Sequence, residues 1–287
     1  FDMAASSGGQ GNAASGTYAA WCWKAGGSSN TFNVDGTGYG TASAAGITDG
    51  NVAITGASVN TKNGFSIVTY TGSTANGVLT VGHGLGKKPA WVIVKRRDAT
   101  SDWIIGHKGL ATTDAFANNK FLKFTNETIF DNSLVWGAEP TTTVTQIVTD
   151  GNAGASNLTS SGTYVMYSWA EIPGYSKFGS YTGNGSTNGV YVHLGFKPAF
   201  IITKQTNGTG SWFIFDNKRN GYNETEPYVM SNVTNVEATD LGWDFLSHGF
   251  KHRNSYAATN GSGNTFIYMA FAEQPGATSF DTFPNAR

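Results

Sequence analysis

Chemistry in this chain would have to come from five histidines, one cysteine and a thin scatter of carboxylates. His83 sits in the glycine-flanked run Gly82-His83-Gly84-Leu85-Gly86, where a metal ligand or an acid-base group could reach a substrate. His248 and His252 are four residues apart. On a strand they would share a face but lie about 13 Å apart, too far to share a zinc ion bonded at about 2 Å. His107 and His193 have no metal-ligand spacing around them. Cys22 stands alone, so it can form no disulfide within the chain, and a nucleophilic thiol would need an activating neighbour. Sugar hydrolysis needs two carboxylates at a set separation, and the nearest candidates, Glu171-Ile-Pro and Glu224-Thr-Glu226-Pro, run at once into proline. There is no Gly-x-Ser-x-Gly elbow. The glycine-rich Gly36-Thr-Gly38-Tyr-Gly40 lacks the lysine and the helix of a phosphate loop. Asp98 to Asp102 and Asp150-Gly-Asn152 could ligate calcium, but Asp and Asn favour turns for conformational reasons. No catalytic residue, cofactor or metal is expected.

Whatever positions these groups is a β framework. Charged residues make up 13% of the chain, about half the usual share, while 38 glycines and abundant Ser, Thr and Asn supply turns. Aromatic residues, also 13%, supply buried surface. The formal net charge of -1 gives no general attraction to nucleic acid or anionic membranes. No run approaches the length of a membrane helix, so neither nucleic acid nor membrane insertion is expected.

The framework repeats. Val81 to Lys95, VGHGLGKKPAWVIVK, returns as Val192 to Lys204, VHLGFKPAFIITK. Each is a glycine turn, a Lys-Pro step and a β-branched apolar run, the pattern of a strand start. Tyr70-Thr-Gly72 returns as Tyr181-Thr-Gly183 and Trp103-Ile-Ile105 as Trp212-Phe-Ile214. A closing strand occurs three times, ending at Lys24, Ala170 and Ala272. Five divisions follow: 1–24, the closing part of a truncated preceding repeat; 25–62, a Gly/Ser/Thr/Asn-rich linker with weak strands, the best at Asn51 to Thr55; 63–173 and 174–276, two β-sandwich repeats; and 277–287, a C-terminal tail. The fold class is all-β, tandem β-sandwiches with jelly-roll or immunoglobulin-like connections, and a period near a hundred residues suits a string of small domains.

One copy serves as a control for the other. His83 faces Val192, while His193 faces Gly84, so a shared catalytic role is excluded and a turn histidine bonded to nearby backbone is expected. Cys22 aligns with Ser168 and Ala270, a site for a small packed residue. Trp23, Trp169 and Phe271 share a position, as do Trp91 and Phe200, and Trp103 and Trp212, and all read as core aromatics. Of Lys95-Arg96-Arg97 only the first lysine recurs, at Lys204, so the cluster reads as a solvated hairpin end. Trp136, Tyr222 and Trp243 have no counterpart. They are the candidate platforms for sugar rings, with Asp131, Asn132, Asn223 and Asp244 as neighbouring polar groups.

The succession from Gly64-Phe-Ser-Ile-Val-Thr-Tyr-Thr-Gly72 through Val81-Gly-His-Gly-Leu-Gly-Lys-Lys-Pro89, Ser101-Asp-Trp103 and Gly174-Tyr-Ser-Lys-Phe-Gly-Ser-Tyr-Thr-Gly-Asn-Gly185 to Phe271-Ala-Glu-x-Pro275 resembles the repeated β-domains of tail-fibre and appendage proteins of tailed phages, of the marine and cyanobacterial type. The resemblance covers most of 1–276 and brings no catalytic residues. It implies a structural or adhesive virion component, assembled in the host cytoplasm, that contacts other copies, other virion proteins and host surface polysaccharide. The other readings are a glycan depolymerase, which would need an acidic pair in a cleft, and a bacterial surface adhesin, which would need a secretion signal.

Overall fold

Several strands carry apolar side chains on both faces, which a sheet with one wet side does not need. Pro89–Arg96 (β6), Trp212–Asp216 (β15) and Thr265–Ala272 (β19) are buried along nearly their whole length. The computed structural model, which describes residues 16–72, 77–111, 116, 119–131, 135–149 and 162–273, accounts for this by stacking four sheets. Of the described residues, 44% are in strands and 3% in helices.

The largest sheet has nine strands in the order β2-β1-β3-β4-β11-β6-β7-β8-β9. These are Thr37–Tyr39, Phe32–Val34, Ile54–Asn60, Phe65–Thr71, Thr163–Ala170, β6, Trp103–His107, Lys120–Lys123 and Phe130–Asp131. A small sheet pairs β10 (Val144–Thr149) with β5 (Gly77–Gly82). The second repeat builds a five-stranded sheet, β12-β19-β14-β15-β16, from Ser176–Thr182, β19, Pro198–Gln205, β15 and Tyr228–Met230. Its three-stranded companion is β13-β18-β17, from Tyr191–His193, Gly249–His252 and Trp243–Leu246.

Both repeats follow one plan. The first strand pairs with the last (β4 with β11, β12 with β19), and the last also pairs with the third (β6, β14). The second strand pairs with the next to last, β5 with β10 and β13 with β18. The shared turn before the third strand is fixed by glycine. Gly86 and Gly195 have φ of 65° and 86°, a left-handed region costly for other residues, and the preceding Leu85 and Leu194 are buried.

Alternation sends side chains to two cores per large sheet. Val92, Val94, Ile104 and Met166 face the β5-β10 sheet, while Ile201, Phe213, Phe215 and Phe266 face the three-stranded sheet. The opposite faces meet each other: Trp91, Ile93, Ile105 and Trp169 share one cluster with their repeat counterparts Phe200, Ile202, Ile214 and Phe271. The repeats are therefore packed through the same face rather than strung as separate beads. Hydrogen bonds cross the seam from His107 Nε2 to Tyr268 O (3.1 Å), from Trp212 Nε1 to Lys123 O (2.9 Å) and from Gly210 N to Asn126 O (2.8 Å).

Three expectations change. Residues 25–62, read as a linker with weak strands, supply β1 to β3 to the edge of the nine-stranded sheet, with β1 parallel to β3. The candidate strand at 51–55 lies instead at 54–60, because its pairing with β4 sets the register. The described part of 1–24, read as a closing strand, forms no strand. Its counterparts lie between two neighbours each, and the described residues offer it none.

Candidate functional site

The segment Gly16 to Lys24 keeps strand-like alternation without a sheet. Trp21 and Trp23 turn inward, while Cys22 is exposed. Cys22 was expected to pack like Ser168 and Ala270, both fully buried, but among the described residues no flanking strand covers that face. Trp23 stands edge-on to Phe200 (5.3 Å between ring centroids), Phe271 (5.4 Å) and Trp169 (6.3 Å), at the end of the core shared by the repeats. Trp21 stands edge-on to Phe200 at 5.8 Å. The segment is tied to the nine-stranded sheet by Asn60 Nδ2 to Lys24 O (3.2 Å) and Gly26 N to Ser58 Oγ (2.9 Å).

Between this segment and the loop after β15 lies an open cavity of about 420 Å³. Tyr18, which is exposed, and Trp21, Trp23, Tyr175 and Phe200 line it with aromatic surface, and Asp216 to Arg219 supply polar groups. Asp216 accepts four hydrogen bonds: from the amides of Lys218 (2.9 Å) and Arg219 (3.1 Å), from Arg219 Nε (2.7 Å) and from Trp21 Nε1 (3.2 Å). Burial works against its ionisation, but the amides and the guanidinium outweigh burial and hold the carboxyl below its ordinary value. Arg219 also bonds Glu237 and Ile214 O, and its guanidinium lies 5.6 Å from the Trp21 ring, a cation-π contact. Asn217 Oδ1 is buried without a hydrogen-bond partner among the described residues. Indole surface beside fixed polar groups is suited to a ligand with an apolar face and a polar edge.

The residues singled out from sequence lie elsewhere. Trp136 is buried against Phe116, with its Nε1 bonded to Lys120 O (3.1 Å). Trp243 is buried between Phe215 (4.4 Å) and Phe250 (5.0 Å), in stacked geometry with both. Neither ring offers a face to a ligand, because residues without a repeat counterpart here fill each repeat's own core. Asp244 is buried and paired with Arg253 at 2.6 Å. Asn223 clasps the backbone of Phe245 (2.8 and 3.2 Å), and Asp131 accepts from Asn119 (2.6 Å). Asn132 lies outside the described residues. Tyr222 is 77% exposed, the one platform of the three that is open. Trp103, read as core, is 37% exposed, while its counterpart Trp212 is buried. The pocket's signal in the sequence was the Trp21-Cys22-Trp23 triplet, whose packing role hid the indole surface left open.

His83 is buried and bonded to backbone as expected, accepting from Leu85 N (3.2 Å) with Nε2 3.3 Å from Thr141 O. Among the described residues no three metal-ligating side chains cluster, and no helix is long and apolar enough to cross a membrane.

Fold and pocket together describe an all-β protein of doubled, face-packed sheets with an aromatic, ion-paired cavity at the end of the seam. Residues 1–275 match one family, a domain of unknown function designated DUF7483, and the chain belongs to it; the match takes in both repeats and the tryptophan segment. No curated protein and no solved structure matches the chain.

Proposed function

We propose that this chain is a structural and adhesive component of a virion appendage that binds host surface polysaccharide in the Trp21 pocket. The pocket carries the adhesive part: partly open indoles of Trp21 and Trp23 stand beside hydrogen-bonding groups on a rigid scaffold, the combination by which proteins hold sugar rings. The resemblance to tailed-phage fibre domains supports the virion part, and the nested first-with-last pairing favours jelly-roll over immunoglobulin-like connections in each repeat. A depolymerase would need a protonated carboxyl beside the cleft. Asp216 is held as an anion by its donors, so binding is favoured over hydrolysis.

An array of bacterial surface glycans probed with the intact chain should give discrete hits. Trp21→Ala should weaken them by about tenfold, or about 1.4 kcal/mol, while Trp136→Ala and Trp243→Ala act only through stability. A bare array, or hits indifferent to Trp21→Ala at unchanged circular dichroism, would reject the reading.

A further inference from the structure

Polar contacts between the repeats run one way. Repeat 1 offers the end of β7 and the stretch after β8: His107 bonds Tyr268 O on the closing strand of repeat 2 (3.1 Å), and residues 123–129 exchange hydrogen bonds with Thr206, Gly210 and Trp212. Asp216 is the counterpart of His107, since it lies opposite Phe200 as His107 lies opposite Trp91. A two-fold seam would bring Asp216 to the closing strand of repeat 1. It takes Trp21 Nε1 instead (3.2 Å), in the segment that matches the closing strands in sequence. In that same segment Trp23 stands edge-on to both of its counterparts, Trp169 and Phe271. Equivalent residues from three copies meeting at one point, with contacts running in one direction, are the plan of a closed three-membered ring.

We infer that the third place in this ring is a docking surface for a further β-sandwich unit of the same repeat, one that takes Gly16 to Lys24 as its closing strand. Its two walls are the counterparts of the surfaces that the seam buries. On repeat 1, Trp103 and Ile67 are open where Trp212 and Phe178 are buried, and the hairpin 97–100 is exposed where Gln205 and Thr206 are buried. On repeat 2, Met230 pairs with Phe213 as Lys123 pairs with Ile104, so 230–236 answers 123–129. That stretch carries Val233, 40% exposed, and Val236, 86% exposed. Exposed apolar side chains on both walls mark an interaction surface, and it continues the interface already formed between the repeats. Among the described residues no strand flanks Gly16 to Lys24, whereas β11 and β19 each lie between the first and third strands of their repeat. The unit that fits brings those two strands, and a fourth strand whose end meets the closing strand of repeat 1. A second whole copy does not fit, because in a closed ring its other repeat would fall on one already in place. The third unit enters beside Trp21, so it competes with polysaccharide for that pocket, but the ring does not depend on the sugar reading.

The test extends the whole chain. A duplicate of 174–263, repeat 2 without its closing strand, is fused before Gly16 in place of 1–15, and a second version uses 63–161 of repeat 1. Cys22 should then react with a maleimide about tenfold or more slowly than in the parent, because its counterparts Ser168 and Ala270 are buried. That reports the strand. Docking is read separately at Trp103→Cys in a Cys22→Ser background, which should be labelled in the parent and protected in the extended chain. Phe215→Asp within the duplicate of 174–263 destroys that unit's core and should leave both cysteines reactive. Protection of both sites in either version supports the ring. Cys22 protected with Trp103→Cys still reactive, both sites reactive in both versions, or protection that survives Phe215→Asp would overturn it. Head-to-tail polymers of the parent in sedimentation would overturn it as well, by making a second copy the occupant.

Discussion

The two repeats share a strand plan and much of a face, yet matched residues occupy different surroundings. Lys95 and Lys204 hold the same place on the third strand, opposite Trp103 and Trp212. Lys95 is partly exposed and reaches Ser101 O (2.8 Å), whereas Lys204 is fully buried and reaches Gln205 O (2.7 Å). Trp103 stays at the surface beside Phe124, and Trp212 drives into the seam and bonds Lys123 O. The seam is therefore symmetric at its centre and skewed at the end where repeat 1 sends 124–129 across to repeat 2. Duplication conserves pairing, because pairing is internal to each copy; it does not conserve environment, because environment depends on what the other copy presents.

The strongest way to break the comparison is at the centre of the seam. Phe178 is 1% exposed and touches Trp91, His107 and Phe271, whereas its counterpart Ile67 (178 − 111, the offset between Tyr181 and Tyr70) is partly exposed. Phe178→Ala should lower the unfolding free energy by about 3–5 kcal/mol and Ile67→Ala by less than about 2 kcal/mol, as measured by urea denaturation. Equal losses would mean that the seam adds nothing.

Acid sharpens the contrast next. Burial pushes His83 down to about 4 and both His107 and His252 down to about 3, against an ordinary value near 6.5. The unfolded chain thus binds these protons first. The stability they confer is whole above about pH 6.5 and is lost as pH falls towards 3–4, by up to about 1.4 kcal/mol per pH unit for each histidine. His107 bridges the repeats with both ring nitrogens engaged, whereas neither nitrogen of His252 has a hydrogen-bond partner among the described residues. His252→Phe should therefore flatten the slope of urea midpoint against pH between 7 and 4.5 without loss at pH 7, while His107→Phe should flatten it at the cost of stability. Identical behaviour would contradict the bridging role.

A smaller effect is expected at the paired lysines. Burial lowers Lys204 to about 8, partly offset by Glu127. Between about pH 8 and pH 10 the unfolded state holds the proton that the folded state has lost, so stability attributable to this group rises with pH across that window. Lys204→Met should remove the rise and leave stability at pH 7.5 equal or higher, and Lys95→Met should change neither. The smallest effect separates the closing segments: Cys22 should react with a maleimide in the native state and tolerate change to serine, while a cysteine placed by Ser168→Cys should stay unlabelled until the chain unfolds.

Much of the strand plan was written in local pattern. The closing strand ends at Ala170 and Ala272 as its repetition predicts, and the Lys-Pro steps mark the starts of β6 and β14, because β-branched runs behind a glycine turn leave few options. Residues 25–62 misled through composition, since Gly, Ser and Thr here form β3, held between β1 and β4 by pairing rather than by propensity. The seam has a signal in the sequence: Trp212-Phe-Ile-Phe215 and Phe266-Ile-Tyr-Met-Ala-Phe271 are apolar at odd and even positions alike, as only a strand covered on both faces requires. The pocket and the meeting of Trp23 with Trp169 and Phe271 were beyond local reading, since each joins residues brought together by packing across distant parts of the chain.

Pairing the first strand of each repeat with its last has a mechanical consequence. Antiparallel neighbours put the start of β4 and the end of β11 at one end of the sheet, where Phe65 lies opposite Trp169. Tension applied between these two points would peel the rungs apart singly, like a zip, instead of shearing them together, and β12 with β19 would yield the same way. Resistance to pulling must then come from the shared aromatic layer, which has to be split across its whole area before either repeat can open.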